Sequence, residues 1–231
     1  MLTINELQKT FTIHHLQNTF TALNNISLHV KEGGFLGIVG KSGSGKSTIL
    51  KSIYRTYEPQ RGEILFQSEA FGMIDLLKAS PRQIVYLRKH EIGYVSQFLN
   101  VMPRTTALEL VTQSLLDIGI KRHDAVTRAK EALTHFDLEE TLWNSYPNNF
   151  SGGEKLRLNI ACAIVKQPRL LLLDEPTASL DETSKIKVRE SIEKLKAQGT
   201  TLVGIFHDLE FMEGLCDEVF TMEKYVKGEI A

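Results

Sequence analysis

The stretch that decides the fold is Phe35-Leu36-Gly37-Ile38-Val39-Gly40-Lys41-Ser42-Gly43-Ser44-Gly45-Lys46-Ser47-Thr48. Gly33-Gly34 punctuates the chain just before it, and the continuous apolar run Phe35–Val39 predicts a buried strand. Ser47 to Tyr57 reads as a helix. Gly40 to Ser47 matches the phosphate-loop pattern in full, in the strand-to-helix setting that the pattern needs. Its glycines let backbone N–H groups turn inward around a phosphate, and the helix start adds a positive dipole end. Lys46 can reach the β- and γ-phosphates, while the Ser47 hydroxyl can ligate Mg²⁺. A ligand-free glycine-rich turn is the bland alternative; the strand, the glycine spacing and the Lys-Ser pair weigh against it. The loop implies a nucleoside triphosphate without saying what the energy is used for.

Outward from the loop, composition narrows the field. The chain has 231 residues, 42% hydrophobic and 24% charged, enough for one compact α/β domain with a lobe inserted in it. Lys and Arg total 27 against 28 acidic residues, a formal charge of −1, so direct nucleic-acid binding lacks the basic field it needs. The two cysteines, Cys162 and Cys216, have no paired spacing, which argues against a disulfide framework or zinc site and fits a reducing cytoplasm. No apolar stretch approaches the ~18 residues that span a bilayer, and the first residues are too polar for a signal peptide.

Residues 2–30 read as short strands with turns at Gln17-Asn18 and Asn24-Asn25. Further strands are expected at 63–66 and 92–96, with a helix from Pro81 to His90 between them. From about Thr106 to Trp143 the periodicity is helical: Leu108, Val111, Leu115 and Leu116 mark one face, then Ala129, Ala132, Leu133 and Phe136 the next. Strands resume at Leu170–Leu173, Leu202–Phe206 and Val219–Met222. The expected organisation is a single domain over 1–231: a nucleotide-binding core from 1–97 and 166–231, with a helical subdomain at about 98–165. No internal repeat or appended regulatory domain is expected.

Leu170-Leu171-Leu172-Leu173-Asp174-Glu175 is an apolar strand ending in two carboxylates. Burial of the leucines delivers Asp174 to the sheet edge beside the phosphate loop, where it suits a Mg²⁺ contact. Glu175 is then placed to act as general base toward an attacking water. The plain alternative is two solvated acids closing a strand. Leu202–Phe206 ends in His207, which at a strand terminus of the same sheet could touch the γ-phosphate. His14, His15, His29 and His90 have no partner that the sequence names.

Phe150-Ser151-Gly152-Gly153-Glu154 precedes a helix, and the Asp174-Glu175 strand follows it. Gln97 follows the Ile92–Ser96 strand, and Ala178-Ser179-Leu180-Asp181 follows Pro176-Thr177. In this order the motifs resemble those of the ATP-binding-cassette (ABC) ATPases over almost the whole chain. The resemblance implies an α/β P-loop NTPase fold of the ABC-ATPase type, with a small antiparallel β-lobe and an inserted helical subdomain. It makes Gly40, Ser42, Gly43, Ser44, Gly45, Lys46, Ser47 and Thr48 the Walker A loop, and Gln97 the Q-loop glutamine contacting nucleotide and metal. Ser151, Gly152, Gly153 and Glu154 become the signature, Leu170–Asp174 Walker B, Ser179–Asp181 the D-loop, and His207 the switch histidine. Lys46, Glu175 and His207 are then the catalytic set, and Ser47, Gln97 and Asp174 the metal set.

Two positions depart from the commonest family pattern: Glu154 stands where glutamine is usual, and Cys162 where many members have arginine. Adenine needs a flat partner; Phe11 matches the family position best, with Phe20 the alternative, and Phe11 as a plain core residue of the β-lobe the bland reading. The resemblance implies ATP and Mg²⁺, and a second ABC subunit, identical or not, closing head to tail. More narrowly, Ile92–Arg104, with Asp75-Leu76-Leu77, Ser80-Pro81-Arg82, Leu142-Trp143 and Asn159-Ile160-Ala161, resembles the ATPases of the phosphonate carbon–phosphorus (C–P) lyase machinery. That resemblance implies a cytoplasmic accessory ATPase whose partner is the lyase core complex. The alternative is the ATP-binding subunit of a lipoprotein-release or macrolide-type exporter, with a permease as partner. Phe98, Leu99, Val101 and Met102 would serve either as a docking patch or as plain subdomain core.

Overall fold

The computed structural model describes residues 1–13, 18–96, 104–177 and 180–222. Two sheets organise them. Strands β1 (Leu2–Ile13), β2 (Asn18–Val30), β4 (Arg61–Ser68) and β5 (Gly72–Asp75) form an antiparallel sheet in the order β2-β1-β4-β5. Strands β3 (Phe35–Gly40), β6 (Ile92–Val95), β7 (Leu170–Asp174), β8 (Thr201–Ile205) and β9 (Glu218–Met222) form a second sheet in the order β6-β7-β8-β3-β9. Its neighbouring strands all pair in parallel.

The central strands β3, β7 and β8 are buried on both faces, which explains why they are apolar runs without alternation, whereas the edge strand β9 is exposed at Glu218, Val219 and Thr221. Along β7 the two-residue period sends Leu170 and Leu172 into one core with Ile49, Leu50 and Ile53, and Leu171 and Leu173 into another. The second core also holds Val111, Leu115, Ala129, Leu133 and Phe136 from the segment between β6 and β7. That segment carries α3 (Ala107–Asp117), α4 (Arg122–His135), α5 (Glu140–Trp143) and α6 (Gly152–Ile164), so its helices share a core with the sheet. Within the expected apolar faces, Leu108, Leu116 and Ala132 are only partly buried. Leu133 is fully buried there, and Leu133→Ala is expected to cost about 2–5 kcal/mol of stability. A lowered denaturant midpoint at unchanged slope checks this.

Helix α1 spans Lys46–Ile53 and α2 spans Pro81–His90. The latter begins at Pro81 as expected, and the Ser80 hydroxyl and the Gln83 side chain cap each other's backbone N–H groups at its start. Helix α7 (Glu182–Ala197) and the single turn α8 (Leu209–Met212) complete the fold. Among the described residues, no helix is long and apolar enough to cross a membrane.

Two local expectations fail, and one strand has no counterpart among them. Asn24-Asn25 is not a turn: both residues lie inside the long strand β2, whose pairing with β1 shifts register there. Asn25 has φ 54°, a left-handed value that asparagine tolerates, so it kinks a strand that continues. Helix α1 stops at Ile53 rather than Tyr57, because Arg55 adopts φ 61° and the Thr56 N–H turns back to the Lys51 carbonyl at 2.8 Å. The additional strand is β5: the turn over residues 69–71 leads into Gly72, with φ 67°, and returns the chain alongside β4.

Candidate functional site

Parallel pairing gathers the chemistry at one edge. The carboxyl ends of β3, β7 and β8 point the same way, and each delivers one motif. The glycine-rich loop leaves β3 and enters α1. Gly40 and Gly45 have φ 152° and 97°. A Cβ on Gly40 would lie 2.6 Å from the Met222 carbonyl oxygen, and one on Gly45 would collide with that of Ala22. Any side chain at these two turns would open the cradle.

Lys46 is 5% exposed, and its ammonium donates to the carbonyls of Gly40 at 2.8 Å and Lys41 at 3.2 Å. The charge therefore lies within the loop. The hydroxyl of Ser44 is buried without a protein partner. An orphaned hydroxyl, a buried ammonium and a helix N-terminus at one turn fit a phosphate group.

Asp174 ends β7, is 6% exposed, and receives two hydroxyl donors. Ser47 Oγ donates to Oδ1 at 2.9 Å and Tyr94 Oη to Oδ2 at 2.6 Å. Burial, then the bond to Asp174, raises the pKa of the Tyr94 phenol, so the phenol is the donor. A serine hydroxyl touching a buried carboxylate next to a phosphate cradle is a hard-oxygen pair of the kind Mg²⁺ takes beside a triphosphate. The residues present therefore fit a magnesium nucleotide.

Glu175 and His207 meet for a reason of register. Asp174 pairs with Ile205 across β7 and β8, so residues just beyond both strand ends are neighbours. His207 Nε2 lies 2.7 Å from Glu175 Oε1, and Glu175 adopts φ 53°. The contact with His207 fixes the direction of the Glu175 carboxylate.

A cleft of about 530 Å³ joins these groups to three rings; Ser42, Gly43, Lys46, Ser47, Thr48 and Glu175 border it, with Phe11, Phe20 and Tyr57. Phe11 and Phe20 stack at 5.4 Å between centroids, and Tyr57 meets Phe11 edge-on at 5.1 Å. Phe11 and Phe20 therefore both border the cleft. Tyr57 joins them because α1 ends early and turns it back.

The remaining motif residues form a separate group. Ser151 caps α6: its hydroxyl accepts from the Glu154 N–H at 3.3 Å, and Glu154 Oε2 accepts from the Ser151 N–H at 2.8 Å. Glutamate at 154 thus closes a reciprocal cap at the helix start. Asp181 caps α7 through the Ser184 N–H at 2.8 Å. These bonds hold its carboxyl below the usual carboxylate range. A Cβ on Gly153 would lie 2.5 Å from Ser184 Oγ, so the two helix starts abut. None of Ser151, Gly152, Gly153, Glu154 and Asp181 borders the Lys46 cleft.

Gln97 lies outside the described residues, as do Ser179, His14 and His15 and the apolar Phe98, Leu99, Val101 and Met102. Cys162 packs between helices rather than in an ion pair, and burial pushes its thiol up to about 12. Tyr94 and Tyr57 join the site without any motif in the sequence to mark them. Tyr94 is 80 residues from Asp174, and no spacing signal links them.

Strand, cradle, paired hydroxyl and carboxylate, and strand-end glutamate define a P-loop nucleoside triphosphatase. The profile of the ABC transporter family matches residues 23–178. The lipoprotein-releasing system ATP-binding protein LolD of Geobacter metallireducens is 39% identical over 187 residues, covering 80% of either chain. The cell division ATP-binding protein FtsE of Streptococcus pneumoniae serotype 2 is 33% identical over 206 residues, 89% of this chain and 86% of that protein. Among solved structures, a dimeric ATP-binding cassette in a post-hydrolysis state with ADP and phosphate superposes with a TM-score of 0.87 at 31% identity. That match covers 97% of this chain and 95% of the cassette. The chain belongs to the ABC transporter ATPase family. It is an ABC-type ATP hydrolase, using ATP with Mg²⁺.

Proposed function

We propose that this chain works as one half of a head-to-tail pair of cassettes, each ATP lying between the Lys46 cleft of one copy and the Ser151–Glu154 helix start of the other. The observation that carries it is the split of the site. Ser151 sits exposed at a capped helix start, yet it does not border the cleft of its own chain. A helix start that lies outside the cleft of its own chain fits a site completed by a second subunit. That a solved relative is dimeric in two structures supports the same reading.

Within each site the roles follow from charge and reach. Phe11, Phe20 and Tyr57 offer flat surfaces to adenine. Lys46 and the loop N–H groups hold the phosphates, while Ser47 and Asp174, with Gln97 from the resemblance, hold the metal. Mg²⁺, when bound, neutralises charge developing on the β- and γ-phosphate oxygens. Glu175 accepts a proton from the water that attacks the γ-phosphorus as the bond to the bridging oxygen breaks. His207 orients the Glu175 carboxylate and faces the γ-phosphate. Closure around ATP and opening after hydrolysis form a population shift driven by γ-phosphate contacts.

Ser151→Arg puts a long cation where the partner's phosphate must dock. ATPase activity is expected to fall at least tenfold while ATP affinity of the isolated chain stays unchanged; undiminished hydrolysis would remove the composite site.

For the driven process, the reading is an accessory ATPase of the phosphonate C–P lyase machinery. It rests on the sequence of Ile92–Arg104 and the stretches that accompany it. The names of the relatives, lipoprotein release and cell division, favour a second reading, coupling to a membrane permease. Affinity purification from the native host separates them: C–P lyase subunits in the eluate support the first, and an integral membrane protein supports the second.

A further inference from the structure

We propose that Tyr94 is a positioning residue for the metal site, its hydroxyl fixing the Asp174 carboxylate so that Oδ1 stays with Ser47. The inference rests on the magnesium reading of Ser47 and Asp174 given above.

The geometry starts in register. Tyr94 is paired with Leu172 across β6 and β7, and side chains two residues apart share a face of a strand. Leu172 and Asp174 therefore share the face from which Tyr94 projects. Its ring reaches along β7, and its hydroxyl donates to Asp174 Oδ2 at 2.6 Å. Asp174 Oδ1 is held at the same time by Ser47 at 2.9 Å. No cation pairs with this carboxylate among the described residues, so two neutral hydroxyls determine its orientation.

The tyrosine is itself held from the other side. Tyr54, at the end of α1, packs on its ring at 5.0 Å between centroids. Arg88 of α2 lies 4.7 Å from the Tyr54 ring and donates to the Tyr54 carbonyl at 2.8 Å. Contacts thus run from α2 through Tyr54 and Tyr94 to the metal-side carboxylate. Groups that orient a metal-binding carboxylate commonly change metal affinity by about 10–100-fold when removed.

Tyr94→Phe keeps the ring and its packing and deletes only the donor. The measurement is binding of a fluorescent ATP analogue against Mg²⁺ concentration, in the Glu175→Gln background so that no turnover contributes. The parent is expected to show a Mg²⁺-dependent rise in affinity; a parent without one would overturn the magnesium reading itself. With that rise present, Tyr94→Phe is expected to move the Mg²⁺ midpoint up about tenfold and leave affinity in EDTA unchanged. An unmoved midpoint would overturn the positioning role, as would an equal loss of affinity in EDTA. Asp174→Asn adds a second check. If Tyr94 acts through Asp174, the double variant shifts the midpoint no further than Asp174→Asn alone; additive shifts would overturn the proposal.

Discussion

Lys46→Ala is expected to weaken ATP binding by roughly a hundredfold. The ammonium lies within the phosphate loop, held by two of the loop's own carbonyls, so deleting it removes the one buried cation of the cradle. Hydrogen bonds to charged groups contribute about 1.5–3 kcal/mol each, and about 1.4 kcal/mol is tenfold in affinity. The substitution also takes the donor from the carbonyl oxygens of Gly40 and Lys41, leaving two dipoles of the wrong sign near an anion. Equilibrium titration with ATP measures the effect, and unchanged affinity would remove Lys46 from the binding role. Lys46 lies in the helix that opens the cleft, so a melting curve of the variant should accompany the titration.

Glu175→Gln is expected to reduce turnover by about a hundred- to ten-thousandfold while leaving ATP binding intact. The amide keeps the size of the side chain and a polar atom for His207, which is 2.7 Å away. It cannot take the proton of the attacking water. With hydrolysis blocked and the γ-phosphate retained, the closed pair should accumulate, and size-exclusion chromatography with MgATP should show a species of doubled mass. Phosphate release at the normal rate would take the general-base role from Glu175. Hydrolysis lost without any doubled species would place the failure in the head-to-tail pairing.

Sequence by itself carried the elements whose causes are local. The Phe35–Val39 run, the Gly40–Ser47 loop and the Leu170–Glu175 strand each combine a burial signal with a chemical group at a set distance along the chain. Pro81 marked the start of α2 because its fixed φ and missing N–H suit the first turn of a helix. Local reading failed where a backbone kink is tolerated rather than demanded. Asn25 kinks a strand that continues, and Arg55 ends α1 with a left-handed residue that is not glycine.

The glycine-rich loop therefore determined, unaided, the class of ligand and the neighbourhood of the charge. Tertiary structure alone decided which groups face one another. Strand register brought His207 to Glu175 and Tyr94 to Asp174, pairs 32 and 80 residues apart. An early helix end turned Tyr57 toward Phe11, and the abutting starts of α6 and α7 set Ser151 and Asp181 apart from the Lys46 cleft. The physical reason is that hydrogen-bonded register acts across strands, where no spacing along the chain records it.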